Sequence, residues 1–265
     1  MRNTHKEMTE QYKFKAIYKF IGIIYNFVFE VEYEFPYYGF DEEAFAESAT
    51  KFNKNSLLHI FIVSTLHGYY AEDFHDNGEC YEDTIDWWED LLLAYGVQLK
   101  YPDFDFENED DDMGKWYERN SDSFFDFFCI ISDEIVHILF SNMAFLVKFN
   151  QRMSYTIENY NKEDVFEKIP FHKRRLKKDG TIKRCYIPEW VKRAVFYRDY
   201  GHCVFCGCDL TNTVSTLPSI NYDHIVPLHK YGTNDPCNIQ LCCEKCNKEK
   251  GANEKNPEYK YQKRW

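Results

Sequence analysis

Two pairs of cysteines constrain the fold of this chain more than any other feature. The pairs are Cys203-x-x-Cys206 and Cys243-x-x-Cys246, and 36 residues separate one pair from the other. Each pair can grip a metal ion from a tight turn, and together they complete the tetrahedral four-thiolate site typical of structural zinc. Four thiolates leave no open coordination position. We therefore expect Zn²⁺ to hold a small module together and to take no part in catalysis.

The distribution of the remaining cysteines supports metal binding over a disulfide framework. Seven of the ten cysteines lie between positions 203 and 246. The N-terminus lacks the apolar stretch of a signal peptide, so an oxidising compartment is not indicated. Cys208 and Cys242 adjoin the two pairs and could replace a ligand, but their spacing is less suitable. The alternative interpretation is a group of buried free thiols.

The charge of the chain is divided unevenly between its two halves. The net charge is −12, but residues 1–150 carry −19 and residues 151–265 carry +7. Such asymmetry indicates two parts with different roles, and phosphate binding needs local positive charge in one of them only. No apolar run reaches the ~18–20 residues of a membrane-spanning helix. We expect a cytoplasmic protein that does not associate with a membrane.

Hydrophobic periodicity predicts a mostly α-helical N-terminal domain. Helices are predicted over residues 56–70, 81–96 and 121–149, the last as one helix or two. Residues 12–40 fit a helix or a strand equally well, and the acidic run 103–112 predicts an exposed loop. The expected organisation is an acidic domain over 1–155, a connector and basic hairpin over 156–186, and a C-terminal domain over 187–265.

A basic stretch precedes the first cysteine pair. Residues 172–184 surround an Asp179-Gly180 turn signal and predict a hairpin or loop, and Pro188 opens a predicted helix over 189–200. Ten basic residues against three acidic ones give residues 173–199 a net charge of +7. Contacts of this kind bind phosphates without reading sequence. The candidates are Lys173, Arg174, Arg175, Lys177, Lys178, Lys183, Arg184, Lys192 and Arg193. The alternative is a solvated linker.

A series of short motifs runs between and beyond the cysteine pairs. In order they are Asp223-His224-Ile-x-Pro, Gly232-x-Asn-Asp, Asn238-x-Gln-Leu and, after Cys246, Asn247-x-x-Lys250-Gly. With the cysteines, this series resembles the HNH endonuclease family in its four-cysteine form, over about residues 190–252. Residues 1–170 resemble no family that we identify.

The resemblance implies a small ββα-metal domain in which two strands and a helix surround one divalent cation. With the helical N-terminal domain, the predicted fold class is therefore α+β. His224 would be the general base that activates water, and Asp223 and Asn247 would ligate the cation. Asn238 would tie the loop to the backbone and keep His224 oriented.

These residue types suit the hydrolysis of a phosphodiester. An imidazole with an ordinary pKa near ~6.5 can accept a proton from water at neutral pH. Many relatives have His at the position of Asn247, and the all-oxygen shell of this chain favours Mg²⁺ or Mn²⁺. Lys248 and Lys250 follow closely and are further candidates for phosphate contacts.

The predicted function is therefore a metal-dependent endonuclease acting on double-stranded DNA. By analogy with other small proteins of this type, restriction or phage defence is the favoured setting. A nucleic-acid-binding zinc module without catalysis and a nuclease that cuts RNA are the alternatives. The acidic residues 1–155 are expected to dock a protein partner, to self-associate, or to mask the basic stretch.

Overall fold

The structure is a computed structural model that describes residues 2–30, 42–76, 82–103, 112–162, 174–211, 219–255 and 257. Within those ranges it places the side chains of all but residues 2–12, 82, 161 and 162. The chain divides into two units. Unit 1 comprises Met1–Phe40 and His59–His137, and unit 2 comprises Asp41–Leu58 and Ile138–Trp265. The functional division at residues 155 and 186 stays a prediction.

Helices dominate the described N-terminal residues, as predicted. In chain order the helices are α1 (Arg2–Phe29), α2 (Glu42–Thr50), α3 (Leu57–Asp76), α4 (Glu82–Ala94), α5 (Met113–Arg119), α6 (Ser121–Leu139), α7 (Met143–Lys162), α8 (Glu189–Arg198) and α9 (Glu244–Lys250). No single described helix is long and apolar enough to cross a membrane, and the pair α6 and α7 meets that test only as a broken span.

Unit 1 is held together by an aromatic core. Trp88 of α4 packs edge-on against Tyr70 of α3, with ring centroids 4.8 Å apart, and against Phe124 of α6 at 5.1 Å. Phe20 of α1 contacts Trp88 at 6.1 Å and is fully buried. Edge-to-face aromatic pairs add about 0.5–1.5 kcal/mol each to the burial of their area. The aromatic richness of residues 1–150 therefore has a structural explanation.

Local signals in the sequence set the ends of several helices. Asp112 caps α5 by accepting a hydrogen bond from the backbone N–H of Lys115 at 2.8 Å. Gly96 has φ +77° just after α4, a conformation that glycine adopts without steric cost. Pro188 occupies the N-cap of α8 in an extended conformation.

Unit 2 contains a two-stranded antiparallel sheet followed directly by α9. Strand β1 (Ile220–His224) pairs with β2 (Ile239–Cys243), with Asp223 opposite Gln240. Helix α8 is fastened to β2, because Arg198 donates to the carbonyl of Ile239 at 2.7 Å. This strand–strand–helix order confirms the predicted α+β class, with a helical N-terminal region and a small C-terminal sheet.

The strand-connecting loop, residues 225–238, is tied together from within. Asn238 is fully buried, and its side-chain oxygen accepts from the N–H of Val226 at 2.8 Å. Its amide nitrogen donates to the carbonyls of Val226 at 3.0 Å and Thr233 at 2.9 Å. Gly232 lies so close to the backbone that an added Cβ would come within 1.9 Å of the Val226 oxygen. The loop therefore closes around one asparagine and requires a glycine.

Residues far away in sequence brace the same loop from outside. Asn234 donates its backbone N–H to the carbonyl of Ala49, at the C-terminal end of α2, at 2.9 Å. Asp235 accepts from the backbone N–H of Leu57 at 2.8 Å and from that of Cys237 at 2.7 Å. The amide of Asn150 on α7 donates to the carbonyl of Cys237 at 2.8 Å. Helices α2 and α7 thus belong to the framework of the C-terminal sheet.

Some predicted segments differ from the structure, and others lie partly outside the described residues. Residues 156–162 were expected in a connector but continue α7. The basic hairpin is short, with one bridge between Leu176 and Ile182 around a turn in which Gly180 has φ +77°. Residues 12–29 are helical, whereas 31–41, most of the acidic run 103–112, the rest of the connector and Lys173 lie outside the described residues.

The replacement Asp235→Ala is expected to lower the free energy of unfolding by about 2–4 kcal/mol. It leaves two buried backbone N–H groups without an acceptor, and each costs about 1–3 kcal/mol. Burial raises the pKa of Asp235 to about 6, so urea unfolding is measured at pH 8, where the carboxylate is ionised.

The matched control is Asp179→Ala. Asp179 also accepts a backbone N–H, from Thr181 at 3.0 Å, but it is exposed, so water can replace it. We expect a loss below about 1 kcal/mol in this variant. Equal losses in the two variants would contradict the bracing role of Asp235.

Candidate active site

The four cysteines of the two pairs come together at one end of the sheet. The Sγ atoms of Cys203, Cys206, Cys243 and Cys246 all lie within 4.8 Å of one another, and those of Cys206 and Cys243 are 3.9 Å apart. Zn–S bonds of about 2.3 Å in a tetrahedron place sulfurs about 3.8 Å apart. The cluster therefore has the composition and nearly the spacing of a structural zinc site.

Tight turns present these thiols. The first pair turns through Gly207 at φ +70°, with its N–H bonded to the Cys203 carbonyl at 2.8 Å. Cys243 is the N-cap of α9 and accepts from the N–H of Cys246 at 3.4 Å. Burial alone raises the pKa of Cys206, but hydrogen bonds from Cys208 and from the other thiols outweigh it and bring the pKa down to about 7.

Two other cysteines of the cluster region face elsewhere. The thiol of Cys242 is directed to the carbonyl of Asn221 at 3.7 Å, and that of Cys237 to the hydroxyl of Ser56 at 3.9 Å. Cys208 interacts with Cys206 but lies outside the group of four. The ligand set inferred from the spacing is therefore the set that the fold assembles.

Asp223 and His224 end strand β1. Their side chains leave the strand on opposite sides, since successive strand residues alternate. Asn221 and Asp223 share the side on which α9 lies, because Asn247 donates to the Asn221 oxygen at 3.5 Å. The predicted cation ligands Asp223 and Asn247 thus belong to adjoining elements, and both are half-buried.

Lys250, which the sequence suggested as a phosphate contact, is buried against Asp223 and His224. The Nζ atom of Lys250 is 2.7 Å from Oδ2 of Asp223 and 2.9 Å from the carbonyl oxygen of His224. The lysine side chain is 1% exposed and that of Asp223 is 13% exposed. Gln240 also donates to Oδ2, at 3.3 Å. Lys250 therefore neutralises the carboxylate from inside the protein.

The imidazole of His224 is buried and neutral at pH 7. Burial lowers its pKa to about 4, the positive charges of Arg184 and Lys250 add to that effect, and Asp223 and Asn234 oppose it. The residue is 1% exposed, and no described group completes a hydrogen bond of normal geometry with either ring nitrogen. The ring is thus held in its neutral form, in which one ring nitrogen can accept a proton.

One cleft joins the predicted base and carboxylate to the basic hairpin. Its volume is about 290 Å³. The cleft is lined by Lys177, Arg184, Asp223, His224, Pro227, Leu228, His229, Gly251 and Ala252. A ligand in it would meet the exposed cations Lys177 and Arg184 and the residues that end β1.

The remaining basic candidates lie in varied environments. Arg174, Lys178 and Arg193 are exposed, as are Lys183 and Lys248. Arg175 donates to the hydroxyl of Thr50 at 3.1 Å, and Lys192 pairs with Glu189 at 2.6 Å. Among the described candidates, Lys177 and Arg184 are the ones that line the cleft.

Comparison with known families gives a match, and it covers the segment that contains this site. A family model described as HNH endonuclease matches residues 203–253, the segment that carries the four thiols, both strands and α9. The C-terminal region belongs to the HNH endonuclease family. No curated protein and no solved structure matches the chain. The HNH domain implies nuclease-type chemistry, and its four-cysteine cluster can bind zinc.

The motifs of the HNH domain left one polar residue of the site without a role. Asn234 was recognised within Gly232-x-Asn-Asp, but nothing in the sequence shows that it faces His224. The sequence signal that could have pointed to it is its place between Gly232 and Asp235 in that motif. Its partners lie near residues 50 and 183, beyond the reach of motif spacing.

Zinc content tests the thiol cluster. We expect the purified full-length protein to hold about one zinc ion per chain, measured by elemental analysis. Cys246→Ser should lose most of this zinc and unfold at lower urea concentration, because the HNH domain has a small core. The control Cys129→Ser changes an exposed thiol on α6. Zinc lost equally from both variants would argue against the cluster.

Proposed function

We propose that the HNH domain is a metal-dependent endonuclease that hydrolyses DNA phosphodiester bonds. One observation carries the proposal: a single cleft of about 290 Å³ contains His224, Asp223, Lys177 and Arg184. A backbone phosphate there would meet a proton acceptor, a carboxylate and two cations at once. That set supplies what phosphodiester hydrolysis requires, namely activation of water and compensation of negative charge.

His224 would take the proton from the attacking water. With a pKa of about 4, nearly every molecule carries the neutral imidazole at pH 7, so the base form is present without a prior deprotonation. Burial of the ring also limits its rotation. Asn238, bonded to Val226 and Thr233, fixes the loop that begins one residue after His224.

Asp223 and Asn247 would hold the catalytic cation. A carboxylate and an amide oxygen suit Mg²⁺ or Mn²⁺, and both residues lie where α9 meets β1. When bound, the cation would stabilise negative charge that develops on the phosphate. The protein's own contribution is to keep the two oxygen ligands on adjoining, packed elements.

One contact favours the alternative of a nucleic-acid-binding subunit without catalysis. The ammonium of Lys250 already neutralises Asp223 at 2.7 Å, so the carboxylate has a cation without any metal. The two functions differ in a measurable way. A nuclease binds Mn²⁺ through Asp223 and cuts in its presence, whereas a binding subunit holds DNA with no need of a second metal.

Plasmid cleavage with Mg²⁺ or Mn²⁺ tests the role of His224. We expect His224→Ala to cut at least about 100-fold more slowly, which is the low end for loss of a general base, and chelator to stop cutting by the wild type. Zinc content and DNA affinity should stay near the wild-type values.

His229→Ala is the matched control, because His229 is exposed and lines the same cleft. It should retain cutting within a few-fold of wild type. Cleavage by His224→Ala at the wild-type rate would overturn the proposed mechanism. Absence of cutting in every protein and metal, with DNA still bound, would favour the binding subunit. Parallel assays on RNA distinguish the nuclease substrates.

Salt dependence of DNA binding tests the cationic wall of the cleft. In the full-length protein, the double variant Lys177→Ala/Arg184→Ala should bind DNA more weakly and lower the slope of log K against log salt by about 2. The control, Lys178→Ala/Arg193→Ala, makes the same charge change at exposed positions outside the cleft. Equal slopes in the two double variants would remove the special role of the cleft cations.

The biological setting is proposed by analogy. Small HNH proteins joined to unfamiliar domains suit restriction or phage defence, and the acidic residues 1–155 would then dock a partner, self-associate, or mask the basic stretch.

A further inference from the structure

Two buried polar groups of unit 2 face each other without a formed bond. Asn234 and His224 are 0% and 1% exposed. In the described part of the chain, the side-chain oxygen of Asn234 and both ring nitrogens of His224 make no hydrogen bond of normal geometry. The Asn234 side chain nevertheless raises the pKa of His224 as a hydrogen-bonding neighbour, so its carboxamide lies beside the ring. Buried polar atoms without partners destabilise a folded protein, so this pair needs an explanation.

The orientation of the Asn234 carboxamide is decided by its nitrogen. Nδ2 donates one hydrogen to the carbonyl of Lys183 at 2.8 Å and the other to the carbonyl of Thr50 at 3.1 Å. Both acceptors are backbone oxygens, so exchanging the nitrogen and oxygen would set oxygen against oxygen. The group presented to His224 is therefore an oxygen, which can only accept.

Asn234 is also held more firmly than an ordinary loop residue. Its backbone N–H bonds to Ala49, its neighbour Asp235 accepts from Leu57, and Gly232 fits tightly against Val226. A polar side chain that is held by hydrogen bonds of its backbone and its amide nitrogen can orient a neighbouring side chain that is less constrained. The imidazole is that neighbour, because among the described residues neither of its ring nitrogens has a hydrogen-bond partner.

We infer that Asn234 is a positioning residue for His224. Its side-chain oxygen accepts the N–H of the ring nitrogen that faces it, which fixes the tautomer and leaves the lone pair on the other nitrogen. That second nitrogen is the one that accepts a proton from water, so the inference rests on the proposed function for its catalytic meaning. The tautomer itself is a property of the folded protein and exists without cleavage.

Nitrogen NMR of the full-length, zinc-containing protein with ¹⁵N-labelled histidine tests the inference without added Mg²⁺ or Mn²⁺. The His224 signals are assigned by their loss in His224→Ala. We expect one neutral tautomer in the wild type, with one protonated and one unprotonated ring nitrogen. Averaged ring signals in the wild type would overturn the inference, whatever the variants do.

Asn234→Ala should convert the single tautomer into a mixture and lower kcat for DNA cleavage about 10–100-fold at unchanged DNA affinity. Asn150→Ala is the matched control. Asn150 is also a buried asparagine, and it donates to the carbonyls of Leu146 and Cys237, so its loss weakens the same loop without touching the ring. The ring signals of that variant should match wild type.

The outcomes separate this inference from the proposed function. An unchanged tautomer in Asn234→Ala, or an equal change in Asn150→Ala, overturns the positioning role even where DNA is cut. A mixed tautomer in Asn234→Ala alone supports that role even where no cutting is found, and failure to cut then counts against the nuclease proposal only.

Discussion

Four sulfur atoms within 4.8 Å of one another make the rest of the HNH domain possible. A two-stranded sheet is marginal in water by itself, and β1 and β2 have five residues each. A metal bound by the four thiols would join the turn at Cys203–Cys206 to the junction of β2 with α9. The end of the sheet with His224 and Asp223 is anchored by α9 and by the strand-connecting loop, where buried hydrogen bonds supplement a small hydrophobic core. The thiol cluster therefore stabilises one end of the sheet, and buried hydrogen bonds stabilise the other.

The ion pair between Lys250 and Asp223 shapes the electrostatics of the other end. A buried carboxylate with no partner costs several kcal/mol, and the ammonium of Lys250 at 2.7 Å offsets part of that cost. The same ammonium lies on the His224 carbonyl and helps to lower the pKa of the imidazole. A divalent cation at Asp223 would share the carboxylate with Lys250. With that cation and the Lys250 ammonium, the site would carry more positive charge than the Asp223 carboxylate can balance. A surplus of positive charge would suit a polyanionic ligand.

The sequence predicted the clustering of the four thiols, and it failed to predict features that depend on long-range contacts. The two thiol pairs could be found because the spacing that suits a metal site acts over a few residues. The roles of Asp223 and His224 stay predictions. The burial of Lys250 could not be found, since the same residue at the end of a short helix would point into water if α9 did not lie along β1. Nor could the role of Asn234, whose partners at positions 50 and 183 are chosen by the fold. The short hairpin and the extension of α7 to Lys162 reflect the same limit, because tertiary packing overrides local preference.

The bracing contacts also change how the acidic half of the chain is interpreted. Charge alone divides the chain near residue 150, but Asp41–Leu58 belongs to the unit that contains the HNH domain. Within it, the carbonyls of Ala49 and Thr50 fix Asn234, and Leu57 binds Asp235. A deletion of residues 1–150 would remove all of these groups, so loss of cutting by such a fragment would follow from a displaced loop as readily as from a lost docking site. The docking and masking roles therefore have to be separated with charge-reversing substitutions on exposed residues of unit 1, which leave the framework of the HNH domain intact.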